Sequence, residues 1–394
     1  MNPESFPVMQ SAPGPYTVIE GRRYLYFAGT GYLGLQEHPE VIRAACEGAR
    51  RYGVHSATSR NAVGNTPPVL EVERLAARFF DRDDAFYYPT GYAGNYILAG
   101  ALAEQVDAIF LDELSHYSLH EAARAAQRPI FHFAHADAES LAARLRAHLP
   151  PGGRPLVMSD GVFAARGRIA PVADYAQVLC NYPGAVLLVD DAHAVGVLGE
   201  HGRGTYEHAG MYAAANVALS AGEVSAGPAS EGTSSEGPRL LFCGTLSKAI
   251  GGYGGILPGN RSLLDPVVRA SHWYDGASAP PAPVAAATAR ALELILDDPG
   301  LRTRLRGNVR MLRDGLRAMG LDVDDTPVPI VCLVLGNADN MRRIQGALQE
   351  RGIWIVHRPA YSGLGPEGAL RLAVFATHTE AMIGELLDAL RQTL

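Results

Sequence analysis

One stretch decides the fold of this chain: Leu240-Leu-Phe-Cys-Gly-Thr-Leu-Ser-Lys-Ala-Ile-Gly-Gly-Tyr-Gly-Gly255. An apolar run leads into Lys248, which has small hydroxyl residues on one side and glycines on the other. A second dense stretch lies upstream: Val189-Asp-Asp-Ala-His-Ala-Val-Gly-Val-Leu-Gly-Glu-His-Gly-Arg-Gly204. It places an acid at the end of an apolar run and His193 shortly afterwards. Each stretch therefore joins an apolar strand to groups that can bind a ligand.

The residue types in these two stretches are those that pyridoxal 5'-phosphate (PLP) chemistry requires. A lysine forms a Schiff base with the aldehyde of PLP, and an acid pairs with the pyridine nitrogen so that the ring can accept electrons. Hydroxyls and backbone N–H groups hold the phosphate. We therefore predict that the chain binds PLP and that Lys248 forms the Schiff base.

Short apolar runs recur between about residues 84 and 255, and a helical stretch follows each of them. Such a pattern is typical of parallel strands that are buried on both faces. Ligands of parallel sheets bind beyond the carboxyl ends of the strands, where the candidate residues stand. We predict an α/β fold with a mostly parallel central sheet flanked by helices. The predicted strands are 85–88, 108–111, 156–158, 186–189 and 240–243.

The last third of the chain has a different pattern. Two long helical stretches come first, strand-like runs follow, and the amphipathic segment 379–392 closes the chain. We predict an N-terminal segment (1–45), a large PLP-binding domain (46–275) and a small C-terminal α+β domain (276–394).

The stretch 213–237 interrupts the large domain between the aspartate–histidine run and the lysine strand. It is rich in Gly, Ser, Ala and Glu and has almost no apolar anchors. We predict a flexible surface loop. The alternative is an active-site lid or a partner contact.

The bulk composition is that of an ordinary globular protein, with 47% hydrophobic and 19% charged residues. A net charge of −7 argues against nucleic-acid or membrane-surface binding. No apolar run reaches the roughly 20 residues that span a bilayer, and the N-terminus does not resemble a signal peptide. Four scattered cysteines without a Cys-x-x-Cys pair indicate a reducing compartment and no zinc site. We expect a cytoplasmic protein.

Several motifs, in the same order along nearly the whole chain, resemble those of the α-oxoamine synthases, which are PLP-dependent enzymes of fold type I. The resemblance implies that the small domain packs over the large one. It also implies a homodimer with the active site at the subunit interface. Besides the two stretches above, the motifs are Tyr32-Leu-Gly-Leu35, Ser59-Arg60, Thr90-Gly-Tyr-Ala-Gly-Asn95, Ser115-His-Tyr-Ser118 and Ser159-Asp-Gly-Val-Phe163.

The resemblance assigns five residues to the PLP ring. Lys248 forms the Schiff base, and Asp190 pairs with the pyridine nitrogen. The imidazole of His116 stacks on the ring. His193 and Ser159 lie near the ring hydroxyl.

The resemblance also assigns the phosphate and the substrate. Gly91 and Tyr92 form the turn that cradles the phosphate, with hydroxyls from Thr245 and Ser247. Arg371 grips the carboxylate of the amino-acid substrate, a task that suits the fork of a guanidinium.

The chain departs from the family mainly at substrate positions. Thr30-Gly31 replaces the usual Asn-Asn, so the asparagine that helps to hold the substrate carboxylate is missing. Ala164-Ala-Arg-Gly167 replaces the usual Ser-Met-Asp-Gly. These changes weaken the assignment of a substrate more than the assignment of PLP.

The reaction that the resemblance implies joins a small amino acid to an acyl thioester, usually with loss of CO2, and yields an α-oxoamine. CoA or a carrier protein would present the acyl group, and Lys248 would shuttle the proton. Two alternatives stay open. One is another fold type I reaction, such as transamination or decarboxylation. The other is a non-enzymatic PLP-binding or partner-binding module.

Overall fold

The computed structural model describes residues 6–218, 237–358 and 364–394. Strands are numbered in chain order within these ranges. They are β1 (Tyr16–Ile19), β2 (Arg22–Tyr26), β3 (Asp84–Tyr88), β4 (Ala108–Asp112), β5 (Ile130–Phe133), β6 (Pro155–Asp160), β7 (Val162–Phe163), β8 (Arg168–Ile169), β9 (Val186–Asp190), β10 (Arg239–Thr245), β11 (Gly255–Gly259), β12 (Ile330–Leu333), β13 (Ile353–Trp354), β14 (Val356–Arg358) and β15 (Ala369–Ala373).

The helices are numbered in the same way. They are α1 (Pro39–Tyr52), α2 (Pro67–Phe80), α3 (Gly94–Leu102), α4 (Tyr117–Ala125), α5 (Ala138–His148), α6 (Val172–Leu179), α7 (Thr205–His208), α8 (Arg261–Ala270), α9 (His272–Asp275), α10 (Ala282–Asp297), α11 (Gly300–Arg317), α12 (Ala338–Glu350) and α13 (Glu380–Thr393).

A seven-stranded sheet forms the centre, in the order β3-β11-β10-β9-β6-β4-β5. The strands from β10 to β5 are parallel, whereas β11 runs antiparallel to both β10 and β3. The predicted α/β fold with a mostly parallel sheet is confirmed, and all five predicted runs are strands of this sheet. The sequence pattern missed β5, which is only partly buried, and β11, which contains a proline and two glycines.

The two faces of the sheet belong to two separate hydrophobic cores. In β9, Leu187 and Val189 pack into one core, and Val186 and Leu188 pack into the other. Successive side chains of a strand point to opposite faces, so a strand between two cores must be apolar throughout. This requirement explains the continuous apolar runs in the sequence.

The carboxyl ends of the central strands bring polar side chains to one edge of the sheet. Asp160 of β6 and Asp190 of β9 are partners in the parallel register, and Cys243 of β10 is the next partner of Asp190. Thr245 ends β10, only three residues before Lys248. Parallel strands therefore place both acids and the lysine together.

The N-terminal hairpin and the C-terminal part share a sheet. Strand β2 pairs with β1 on one side and with β13 on the other. A further sheet has the order β12-β15-β14, and helix α13 packs against α11 and α12. Helix α10 contacts α1 and α2 of the preceding part. The boundaries at residues 45 and 275 stay predictions.

The first residues of the predicted loop belong to the folded domain. Ala215 forms a bridge with Leu240. The buried side-chain amide of Asn216 donates to the backbone oxygens of Phe242 and Pro258, at 2.8 and 2.6 Å. These contacts hold Ala215 and Asn216 in the domain, whereas the predicted loop begins at residue 213. Residues 219–236 lie outside the described residues.

No helix in the described part of the chain is long and apolar enough to cross a membrane. Within the same residues, no cluster of His, Cys, Asp and Glu could hold a metal ion.

Candidate active site

A cavity of about 200 Å³ opens at the carboxyl edge of the central sheet, and we call it the cofactor cavity. Thr90, Ser118, Asp160, Ala164 and Ala192 contribute to its wall. The remaining wall residues are eight of the ten that the sequence predicted: Gly91, Tyr92, His116, Asp190, His193, Thr245, Ser247 and Lys248.

Two donors hold the carboxylate of Asp190. Asn95 donates from Nδ2 to Oδ2 at 2.6 Å, and the backbone N–H of Ala192 donates to Oδ1 at 2.9 Å. Asn95 is fully buried on α3 and was not among the predicted site residues. Its position at the end of the Thr90-Gly-Tyr-Ala-Gly-Asn95 motif is the sequence feature that could have identified it as a site residue. Each oxygen of the Asp190 carboxylate therefore accepts one hydrogen bond.

His116 precedes α4 and caps its first turn. Its Nδ1 accepts from the backbone N–H of Ser118 and lies 2.9 Å from the Ser118 hydroxyl. Asn95 donates to the same hydroxyl at 3.1 Å. The backbone N–H of His116 donates to Oδ2 of Asp160 at 2.7 Å. A continuous hydrogen-bond network therefore joins Asp160, His116, Ser118, Asn95 and Asp190.

Lys248 is the only lysine of the chain, and the remaining basic residues are 33 arginines. Burial lowers the pKa of its amine, and the Asp190 and Asp160 carboxylates oppose that shift. A lowered pKa favours the neutral amine, which is the form that attacks an aldehyde. The sequence itself shows that the chain has one lysine, and this is the most direct indication that Lys248 forms the Schiff base.

His193 lies deep in the wall and is held by Tyr32. The Tyr32 hydroxyl is 2.8 Å from Nδ1 of His193. Burial lowers the pKa of His193 well below its usual value, and the charge of Lys248 lowers it further. Burial also raises the pKa of Tyr32 to about 12. Both groups are therefore neutral at pH 7, and Tyr32 gives the predicted motif Tyr32-Leu-Gly-Leu35 a chemical role.

The hydroxyls of Thr245 and Ser247 lie where the backbone at Gly91 passes close to the end of β10. The Thr245 hydroxyl lies 2.6 Å from the Ser247 hydroxyl and donates to the Gly254 carbonyl at 2.7 Å. A Cβ on Gly91 would lie 2.7 Å from the Thr245 side chain, so only glycine fits there. Gly91 also opens the short turn that leads into α3. Backbone N–H groups at such a turn can meet an anion.

Ser159 is the predicted residue that the structure keeps out of this wall. Its side chain is fully buried, and its hydroxyl donates to the Asp160 carbonyl at 2.9 Å. Neighbouring residues of a strand point to opposite faces, so the side chain that lines the cavity from β6 is Asp160.

Arg371 lines an adjacent cavity of about 220 Å³, which we call the substrate cavity. It shares His116, His193 and Lys248 with the cofactor cavity. The Arg371 guanidinium donates to the backbone carbonyl of Gly29 at 3.1 Å and to that of Ala164 at 3.4 Å. Two carbonyls therefore aim the cation at the space beside Lys248.

The residues of the cofactor cavity fit PLP. Lys248 offers an amine for the aldehyde, and Asp190 offers a carboxylate that two donors hold in place. His116 is held through its imidazole Nδ1 by Ser118 and through its backbone N–H by Asp160. The glycine turn and the hydroxyls of Thr245 and Ser247 provide the cradle that a phosphate needs.

Comparisons with known proteins identify the family of this chain. The family described as aminotransferase class I and II matches residues 26–390. An 8-amino-7-oxononanoate synthase from Cellvibrio japonicus is 35% identical over 388 residues, which are 98% of this chain and 91% of that protein. One from Nitrosococcus oceani is 34% identical over 390 residues, which are 98% of this chain and 96% of that protein.

A solved structure supports the same relationship. The serine palmitoyltransferase of S. paucimobilis, solved with a bound PLP–myriocin aldimine, superposes with a TM-score of 0.86 at 27% identity. The match covers 98% of this chain and 92% of that one. The predicted family resemblance, fold type and cofactor are confirmed. The chain belongs to the aminotransferase class I and II family and, within it, to the PLP-dependent α-oxoamine synthases.

Proposed function

We propose that this protein joins a small α-amino acid to an acyl thioester, usually with loss of the carboxylate as CO2, and releases a free thiol and an α-oxoamine. The observation that carries the proposal is the position of Lys248, whose side chain lines three neighbouring cavities. One cavity fits PLP, and the second contains Arg371. The third measures about 280 Å³ and has apolar walls from Met9, Pro13 and Phe375. This arrangement gives a cofactor and two reactants separate places around one amine.

PLP would be held at its aldehyde by Lys248, at its ring nitrogen by Asp190 and at its phosphate by the turn around Gly91 with Thr245. When bound, it supplies an electron-withdrawing ring that eases the breaking of a bond to the α-carbon of an amino acid. The imidazole of His116, which lines the same cavity, would contact the ring.

The chain's own groups then bind the reactants and move the proton. Arg371 would bind the amino-acid carboxylate through its guanidinium fork, whose direction the Gly29 and Ala164 carbonyls set. Lys248 would carry the proton on Nζ, since its lowered pKa eases loss of that proton. His193 and Tyr32, both neutral, would offer hydrogen bonds without adding charge.

The homodimer and the cytoplasmic location are part of this proposal. Tyr92 lines the cofactor cavity, and Tyr117 follows His116. Their side chains and that of Tyr253 are 39%, 53% and 49% exposed. Exposed aromatic rings on the segments that carry Gly91, His116 and Lys248 support coverage of this region by a second subunit. The family resemblance supports the same arrangement.

The test is a coupled measurement on protein loaded with PLP. Small amino acids are supplied with and without a set of acyl-CoA thioesters, and free thiol and product mass are recorded. We expect thiol release only when both reactants are present, and none from the Lys248→Ala variant. Conversion of PLP to pyridoxamine phosphate by the amino acid alone, without thiol release, would instead establish an aminotransferase.

A further inference from the structure

Two buried acids end neighbouring strands beside Lys248, and the proposed function uses only one of them. Asp160 ends β6 and Asp190 ends β9, and they are partners in the parallel register. Residues in register on parallel neighbours point to the same face of the sheet. Each acid is 6% exposed, and both line the cofactor cavity.

The two carboxyl groups have different hydrogen-bond partners. Asp190 accepts on both oxygens, from the Asn95 side chain at 2.6 Å and from the Ala192 backbone at 2.9 Å. Asp160 accepts on Oδ2 from the backbone N–H of His116 at 2.7 Å. Hydrogen-bond donors stabilise a carboxylate anion, and Asp190 has two of these donors whereas Asp160 has one. The proton of the pair therefore belongs on Asp160.

The environment of the two acids also favours the proton on Asp160 and the negative charge on Asp190. Burial raises the pKa of Asp160 well above its usual value, and the neighbouring Asp190 raises it further. Lys248 opposes this shift, but burial lowers the pKa of its own amine and so weakens the opposing charge. Two carboxylates that end neighbouring strands in a buried site cannot both ionise without a large cost, so they share one proton.

We propose that Asp160 is a positioning residue that works as a neutral acid. It holds the backbone of His116 at the edge of the cofactor cavity and leaves Asp190 as the anion that faces the cofactor. His116 is then fixed twice, through its backbone by Asp160 and through Nδ1 by Ser118. The proposal rests on the PLP site described above.

Two substitutions separate the neutral acid from an anion. Asp160→Asn keeps an oxygen acceptor for the His116 N–H and carries no charge, whereas Asp160→Ala removes the acceptor. The first measurement is amide hydrogen exchange of the peptide that contains His116, in the full chain without PLP. The second is the dissociation constant of PLP, measured by absorbance after equilibrium dialysis.

We expect the Asn variant to match the wild type in both measurements, within about 3-fold. The Ala variant should show faster exchange at His116 and PLP binding weaker by about 10-fold, since one hydrogen bond is lost. Thermal unfolding without PLP verifies that each variant is folded. If the Ala variant does not fold, the Asn variant alone still distinguishes the two charge states.

Two results would overturn the proposal. Loss of PLP affinity in the Asn variant as large as in the Ala variant would show that Asp160 acts as an anion. Unchanged exchange and unchanged affinity in a folded Ala variant would show that Asp160 does not position His116. Neither measurement involves an acyl thioester, so failure of the proposed reaction would leave both results interpretable.

Discussion

Replacing Asn95 with leucine removes a donor from the acid that faces the cofactor. Leucine has the branched shape of asparagine and the same number of side-chain heavy atoms, so the buried site stays filled while Asp190 loses the 2.6 Å hydrogen bond to Oδ2. The Ala192 N–H then remains as its other described donor. A hydrogen bond to a charged group contributes about 1.5 to 3 kcal/mol. We therefore expect PLP binding to weaken by about 10- to 150-fold in Asn95→Leu, because only the ionised acid pairs with a protonated ring nitrogen.

The assay is equilibrium dialysis of PLP against each variant, followed by absorbance. Asn216→Leu is the matched control: Asn216 is a fully buried asparagine that bonds to the carbonyls of Phe242 and Pro258 and does not line the cofactor cavity. Both variants should unfold at lower denaturant concentration than the wild type, but only Asn95→Leu should lose PLP affinity. Wild-type PLP affinity in a folded Asn95→Leu variant would refute the role given to this network.

Three further substitutions test other contacts. Arg371→Lys should weaken amino-acid binding by about 10-fold and leave the PLP dissociation constant unchanged, because a lysine lacks the fork; equal losses of both would indicate a structural arginine. Burial raises the pKa of Asp191 from 3.8 to about 7, so the native state keeps a proton that the unfolded state releases. As the pH rises from about 4 to 7, this difference lowers the free energy of unfolding progressively, by up to about 4 kcal/mol, because Asp191 ionises in the unfolded state first. Asp191→Asn should gain stability over that window in denaturant titrations, and a pH-independent difference would contradict this. Arg60→Met should cost about 3 to 5 kcal/mol because it leaves the buried Glu73 carboxylate without its ion-pair partner, and Arg60→Met with Glu73→Leu should recover most of it.

The sequence predicted the central sheet well because burial on both faces forces continuous apolar runs. The short strand β5 and the proline-containing β11 give no such signal, so only the structure reveals them. The start of the predicted loop was placed too early for a similar reason. Asn216 is polar in the sequence, yet its side chain bonds inside the domain.

The site was predictable where one residue meets the cofactor cavity directly, as Lys248, Asp190, His116 and His193 do. Asn95 acts through another side chain, and no pattern along the chain shows which acid it meets. The choice between Ser159 and Asp160 depends on which face of β6 points toward the cavity. Such relations arise only when strands and helices from distant parts of the sequence pack together.

The most direct test of the account is to find where PLP attaches. The protein is incubated with PLP, reduced with borohydride and digested, and the modified peptide is identified by mass spectrometry. Because Lys248 is the only lysine, the α-amino group is the other amine that could compete. The account predicts one reduced PLP per chain, on the peptide that contains Lys248, and none in Lys248→Ala. A label at the N-terminus, or no label on folded protein, would contradict it.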